Sequence, residues 1–145
     1  MSGFEFHETM IGSFRLRGEL RDRPMSFTVR ARSPRWRSFL VKPEVEIAGE
    51  IDAEGFADHR LLRGTLGLDA LRTRTLPYAF RFTANDGRDC SFIGKKTLVA
   101  TRMVESMTVL PGEIVDAAGA PLADALLRFD LRSDLQRFLQ SFRLA

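Results

Sequence analysis

Along most of this chain hydrophobic and polar residues alternate with a period of two, the pattern of strands that bury one face. The pattern is cleanest over residues 76–96. There Tyr78, Phe80 and Phe82 share one face and Ala79, Arg81 and Thr83 the other, ahead of an Asp86-Gly87 turn. A two-residue loop would set Phe82 opposite Ser91 and waste the aromatic face. A three-residue loop, Asn85-Asp86-Gly87 with Gly87 left-handed as a bulge, sets Phe82 opposite Cys90, Phe80 opposite Phe92 and Tyr78 opposite Gly94. The second register is preferred.

Similar alternation predicts a first strand over residues 4–20, with a break at Gly12, and a second over 25–32 after the Asp22-Arg23-Pro24 turn. A third follows over 45–51. A fourth, over 61–68, carries Gly64 and Gly67, which signal sharp bending or close backbone approach. Residues 97–103 and 107–115 read as two less regular strands, the second interrupted by Pro111-Gly112, and 127–132 as a last one. Two stretches change period. Ser33-Pro34 followed by Trp36, Phe39 and Leu40 predicts a short amphipathic helix over 34–41. Ser133 and Gln136 fit a capping box, and Leu135, Phe138, Leu139 and Phe142 continue it as a C-terminal amphipathic helix over 134–143.

Eight or nine strands joined by tight turns, without helical crossovers, predict an all-β, antiparallel up-and-down meander closing into a lipocalin-like barrel, with a two-sheet sandwich as rival. A barrel of eight strands is either filled by side chains or holds one small ligand. Phe14, Phe27, Phe80, Phe82, Phe92 and Phe129 all fall on apolar faces, which argues for a partly or wholly filled interior.

Composition narrows the function classes. The 145 residues read as one domain, residues 1–145, able to bury a core without staples. With a single cysteine, Cys90, and no apolar leader, a reducing cytoplasmic setting is the expectation. No apolar run is long enough to span a bilayer as a helix, so membrane contact is expected to be peripheral at most. Basic residues number 22 against 19 acidic ones; the lysines are Lys42, Lys95 and Lys96, leaving 22 − 3 = 19 arginines and a net charge of only +3, which speaks against nucleic acid.

Several short motifs resemble a known family: Phe6-His7-Glu8-Thr9-Met10-Ile11-Gly12, Arg35-Trp36-Arg37-Ser38-Phe39-Leu40, Tyr78-Ala79-Phe80-Arg81-Phe82 before Asp86-Gly87, Phe92-Ile93-Gly94-Lys95-Lys96 and the tail from Asp134 to Phe142. Together they are similar to a bacterial β-barrel accessory domain that accompanies flavoprotein oxidoreductases of the glucose-methanol-choline, cholesterol-oxidase-like type. The resemblance implies a lipocalin-like domain of the calycin kind, placed near redox or lipid enzymes and touching apolar substrates, with a flavoprotein as partner. It brings no catalytic residue and no cofactor. The flavoprotein's Gly-rich dinucleotide fingerprint is missing from this chain, so oxidoreductase activity does not transfer to it.

Candidate chemistry is sparse. His7 and Glu8 are adjacent, so on a strand only one faces the interior. Asp58-His59 has the same difficulty, and two isolated histidines that would have to converge are weak metal evidence. Cys90, on the Phe82 and Phe92 face, reads as a small buried hydrophobe. Tyr78 reads as an amphipathic rim residue able to present its hydroxyl to a ligand, and Arg81 with Lys95-Lys96 as a solvated group able to meet an anionic head. Arg30, Arg32, Arg35, Arg37 and Lys42 around Trp36 and Phe39 suit an anionic surface, although a helix closing the barrel bottom is the plainer reading. The candidate ligand-binding set, at the interior or mouth, is therefore Tyr78, Phe80, Phe82, Phe92, His7 and Arg81. No catalytic residue, metal or cofactor is assigned. The leading expectation is a non-catalytic binding or accessory barrel for an apolar small molecule or lipid, or for docking on a redox or lipid enzyme. The alternatives are an isomerase- or cyclase-type barrel enzyme using His7, Glu8 or Tyr78, and a filled-core interaction module.

Overall fold

The computed structural model describes residues 4–32, 43–129 and 143–144. Its strands are β1 (Phe4–Leu16), β2 (Arg23–Arg32), β3 (Glu44–Ala53), β4 (Ala57–Gly67), β5 (Thr75–Thr83), β6 (Asp89–Thr97), β7 (Val109–Asp116), β8 (Pro121–Arg128) and the short β9 (Arg143–Leu144). Each of the first seven pairs antiparallel with the next in sequence, and β8 returns to pair with β1, so the meander closes into an eight-stranded barrel. Closure removes the sheet edges and excludes the open sandwich. Strand β9 adds to the start of β1 through Phe4↔Leu144 and Glu5↔Arg143.

The β5–β6 hairpin has the three-residue loop. Phe82 faces Cys90, Phe80 faces Phe92 and Tyr78 faces Gly94. The Gly87 N–H donates to the Ala84 carbonyl at 2.9 Å, and Gly87 sits at φ +90°, a conformation a residue with a Cβ adopts only under strain. Asn85 ties this turn to the neighbouring β3–β4 hairpin. Its N–H donates to the Phe56 carbonyl at 2.8 Å, and its side-chain amide donates to Asp58 Oδ2 at 2.7 Å.

Even-numbered residues of β1, β4, β5 and β6 and odd-numbered residues of β2 and β3 point inward, as alternation requires. At Gly64 strands β4 and β5 approach closely: a Cβ there would sit 1.9 Å from the Ala79 carbonyl oxygen and 2.4 Å from Phe80 Cα. Close backbone approach is thus the reason for that glycine.

Several expected boundaries move. Strand β1 runs through Gly12 without a break and ends at Leu16, so Leu20 falls in the turn and is 97% exposed. Residues 97–103 are not a strand; β6 stops at Thr97, and a 3-10 turn (Ala100–Arg102) leads into the short helix α2 (Met103–Met107). A one-turn helix α1 (Ala70–Thr73) likewise joins β4 to β5. Pro111-Gly112 does not interrupt β7. Pro111 lies one residue beyond the last β6 pair, Gly94↔Gly112, so its missing N–H costs that ladder nothing. The last barrel strand is Pro121–Arg128 rather than 127–132. The helices expected over 34–41 and 134–143 fall outside the described residues, except that Arg143 belongs to strand β9.

Candidate functional site

Two layers of side chains cross the barrel bore. The first is aromatic. Phe27 on β2 reaches over to Phe80 on β5 at 5.1 Å and Phe92 on β6 at 5.9 Å between ring centroids, and Phe80 stacks on Phe92 at 5.0 Å. Tyr78 and Phe82 extend the cluster on either side, and Phe56 carries it to Phe14. Strands β2 and β6 stand on opposite sides of the barrel, so these contacts span its full width. Edge-on and offset-stacked contacts at such distances are favourable beyond the area they bury.

The second layer is polar. Glu8, on the inner face of β1, accepts a hydrogen bond from the Tyr78 hydroxyl at 2.5 Å through Oε1 and from Lys96 Nζ at 2.8 Å through Oε2. Lys96 Nζ also lies 5.1 Å from the centre of the Tyr78 ring. Because β1 and β5 face each other across the ring of strands, the Glu8–Tyr78 bond is a crossbar through the bore. The side chains of Lys96 and Glu8 are only 5% and 7% exposed. Burial, followed by the adjacent Glu8 carboxylate, holds the Tyr78 hydroxyl well above the ordinary tyrosine range, so it stays a proton donor. Each charged or polar end in the crossbar has a partner in the crossbar, which is how a barrel interior tolerates them.

The structure divides the residues singled out from the sequence. Tyr78, Phe80, Phe82 and Phe92 face inward and pack on one another. Tyr78 is 1% exposed and is not a rim residue. His7 and Arg81 point out of the barrel and line neither the bore nor its mouth, because they sit on the opposite parity to Glu8 and to Phe80 and Phe82. His7 lies 3.8 Å from Glu5, whereas His59 lies near Glu50 and Asp52, so the two histidines do not converge. Among the described residues no cluster of potential metal ligands forms. Cys90 is buried and its thiol is pushed up by burial, the opposite of a reactive thiolate. The expectation that Lys96 is solvated is wrong. Its parity with Phe92 and Gly94 on β6 already points it inward, the one signal in the sequence that identifies it.

Outside the barrel, two shallow grooves of about 870 Å³ and about 520 Å³ run over the outer faces of β2 to β6, and both are lined by Arg30, Ala48, Arg63 and Arg81. No helix among the described residues is long and apolar enough to cross a membrane. Comparison with protein-family models, with curated proteins and with solved structures finds no match to this chain.

Proposed function

We propose that this protein is a non-catalytic binding module, a barrel with a filled interior that meets its partner through its outer surface. The observation that carries the reading is the Phe27–Phe80–Phe92 contact across the bore, which leaves side chains where a lipid carrier of this architecture would hold its ligand. The crossbar supports it as well. Glu8 and Lys96 neutralise each other, and Tyr78 is spent on Glu8, so these three groups are engaged with one another rather than poised as acid or base for an isomerase-type reaction. A flavoprotein oxidoreductase, the partner implied by the motif resemblance, falls within this reading as a docking partner.

Native mass spectrometry of the protein purified gently from its source tests the proposal. The expected spectrum contains no apolar adduct. A stoichiometric apolar adduct, lost on delipidation and regained on adding lipid, would overturn it in favour of carriage in the bore.

A further inference from the structure

The outer face of β2 to β6 carries a row of cations that the fold does not need. Register places Arg30 opposite Ala48, Ala48 opposite Arg63, Arg63 opposite Arg81 and Arg81 opposite Ser91. Arg63 and Arg81 are thus directly opposed like charges on neighbouring strands, an arrangement that destabilises a sheet. No direct contact offsets it: among the described residues, Arg30, Arg63 and Arg81 are exposed and make no ion pair or side-chain hydrogen bond. Ala48 between Arg30 and Arg63 keeps the floor low, and two strand spacings put those two backbones about 10 Å apart.

Rest-state repulsion with no partner becomes attraction when an anion sits between the guanidinium groups, and arginine forks match phosphate oxygens in pairs. The surroundings limit what kind of anion fits. Glu46 and Glu50 flank Ala48 on β3, and Asp89 and Asp116 line the far side of the larger groove. A long polyanion or a flat anionic membrane would have to cross these carboxylates. A compact anion would not.

We infer that the Arg30–Arg63–Arg81 row is a binding site for a compact phosphate-bearing small molecule of the diphosphate class. This inference rests on the outer-surface reading above and names its ligand chemistry. Two adjacent phosphates take the Arg63–Arg81 pair, with Arg30 closing from across Ala48. Exposed Leu61, two residues from Arg63 in the same groove, offers an apolar shelf for whatever the phosphates are attached to.

The test uses inorganic pyrophosphate as probe, at low salt, read by calorimetric titration and by thermal melting of the full chain. Wild type is expected to bind and to melt higher with pyrophosphate, with an affinity that falls as salt rises. Arg63→Gln and Arg81→Gln should each weaken binding about 10- to 100-fold, the loss of one charge-assisted contact. Arg128→Gln, on the outer face of β8, should bind as wild type does. Without ligand, Arg81→Gln should melt at or above wild type, which separates loss of the site from loss of the fold. Absence of binding at low salt, or equal binding by the Arg63→Gln/Arg81→Gln double variant, overturns the site while leaving the filled bore intact. Single-stranded oligonucleotide or anionic vesicles that bind the same row more tightly than pyrophosphate also overturn it, in favour of a macromolecular partner.

Discussion

Removing one member of the crossbar should cost far more than removing all of it. In Lys96→Met the alkyl stem is kept and the ammonium lost, leaving the Glu8 carboxylate, whose side chain is 7% exposed, without its cation. Tyr78 still donates to Oε1, but Oε2 loses its 2.8 Å partner. Breaking a buried pair in this way costs about 3–5 kcal/mol, whereas replacing the whole set by apolar residues of similar volume is about neutral or stabilising by about 1–4 kcal/mol. For a chain of this size each kcal/mol moves the melting temperature by about 2–4 °C, so Lys96→Met should melt at least about 6 °C below wild type. The triple variant Glu8→Leu/Tyr78→Phe/Lys96→Met should recover most or all of that. Thermal melts with urea titrations on wild type, Lys96→Met and the triple variant decide the matter. If Lys96→Met melts within about 1 °C of wild type, the pair is hydrated rather than buried, and the crossbar does not close the bore. If the triple variant is as unstable as the single one, packing rather than charge accounts for the loss.

Other consequences follow from named contacts. Tyr78 is the only tyrosine in the chain, so the phenolate absorbance band reports it alone. Its folded pKa is raised above the unfolded value of about 10, so the stability it contributes is complete below about pH 10 and is lost as pH climbs toward the folded value. Phenolate should therefore appear only together with unfolding, and Tyr78→Phe should flatten stability between about pH 10 and 12; a free titration at about pH 10 in the folded state contradicts the burial. Gly64→Ala should destabilise by about 3 kcal/mol or more, because the neighbour 1.9 Å from the new Cβ is backbone, while Gly87→Ala, which meets open space, should cost only the left-handed strain of about 1–2 kcal/mol; denaturant midpoints compare them. Phe27→Ala should cost about 3–5 kcal/mol in the same assay, as the ring that touches Phe80 and Phe92 leaves a cavity.

How much of this was legible in the sequence depends on the range of the interactions involved. The β5–β6 register could be read because one loop and one aromatic face over-determine it. Closure of the meander followed from strand count and turn spacing. Gly64 announced a close approach because a strand interior rarely spends a glycine otherwise. Lys96 was misread because its partner Glu8 lies 88 residues away on a strand that does not adjoin its own, and lysine alone reads as solvated. Parity with Phe92 gave the direction, and only the fold supplied the counter-charge. Residues 97–103 were misread because Leu98, Val99 and Met103 suit either period over so short a span, and connection geometry decided for a helical turn. The arginine row was hidden for the same reason as the crossbar: Arg30, Arg63 and Arg81 come from three separate strands and meet only across the ladder.

The filled bore is the claim on which the rest stands, and titration of the wild-type protein with N-phenyl-1-naphthylamine, a neutral apolar fluorophore that the arginine row would not attract, tests it most directly. The account predicts no saturable fluorescence gain up to the solubility of the dye. A saturable one-to-one gain with a blue-shifted emission, displaced by a fatty alcohol, would contradict it and place an apolar ligand inside the barrel.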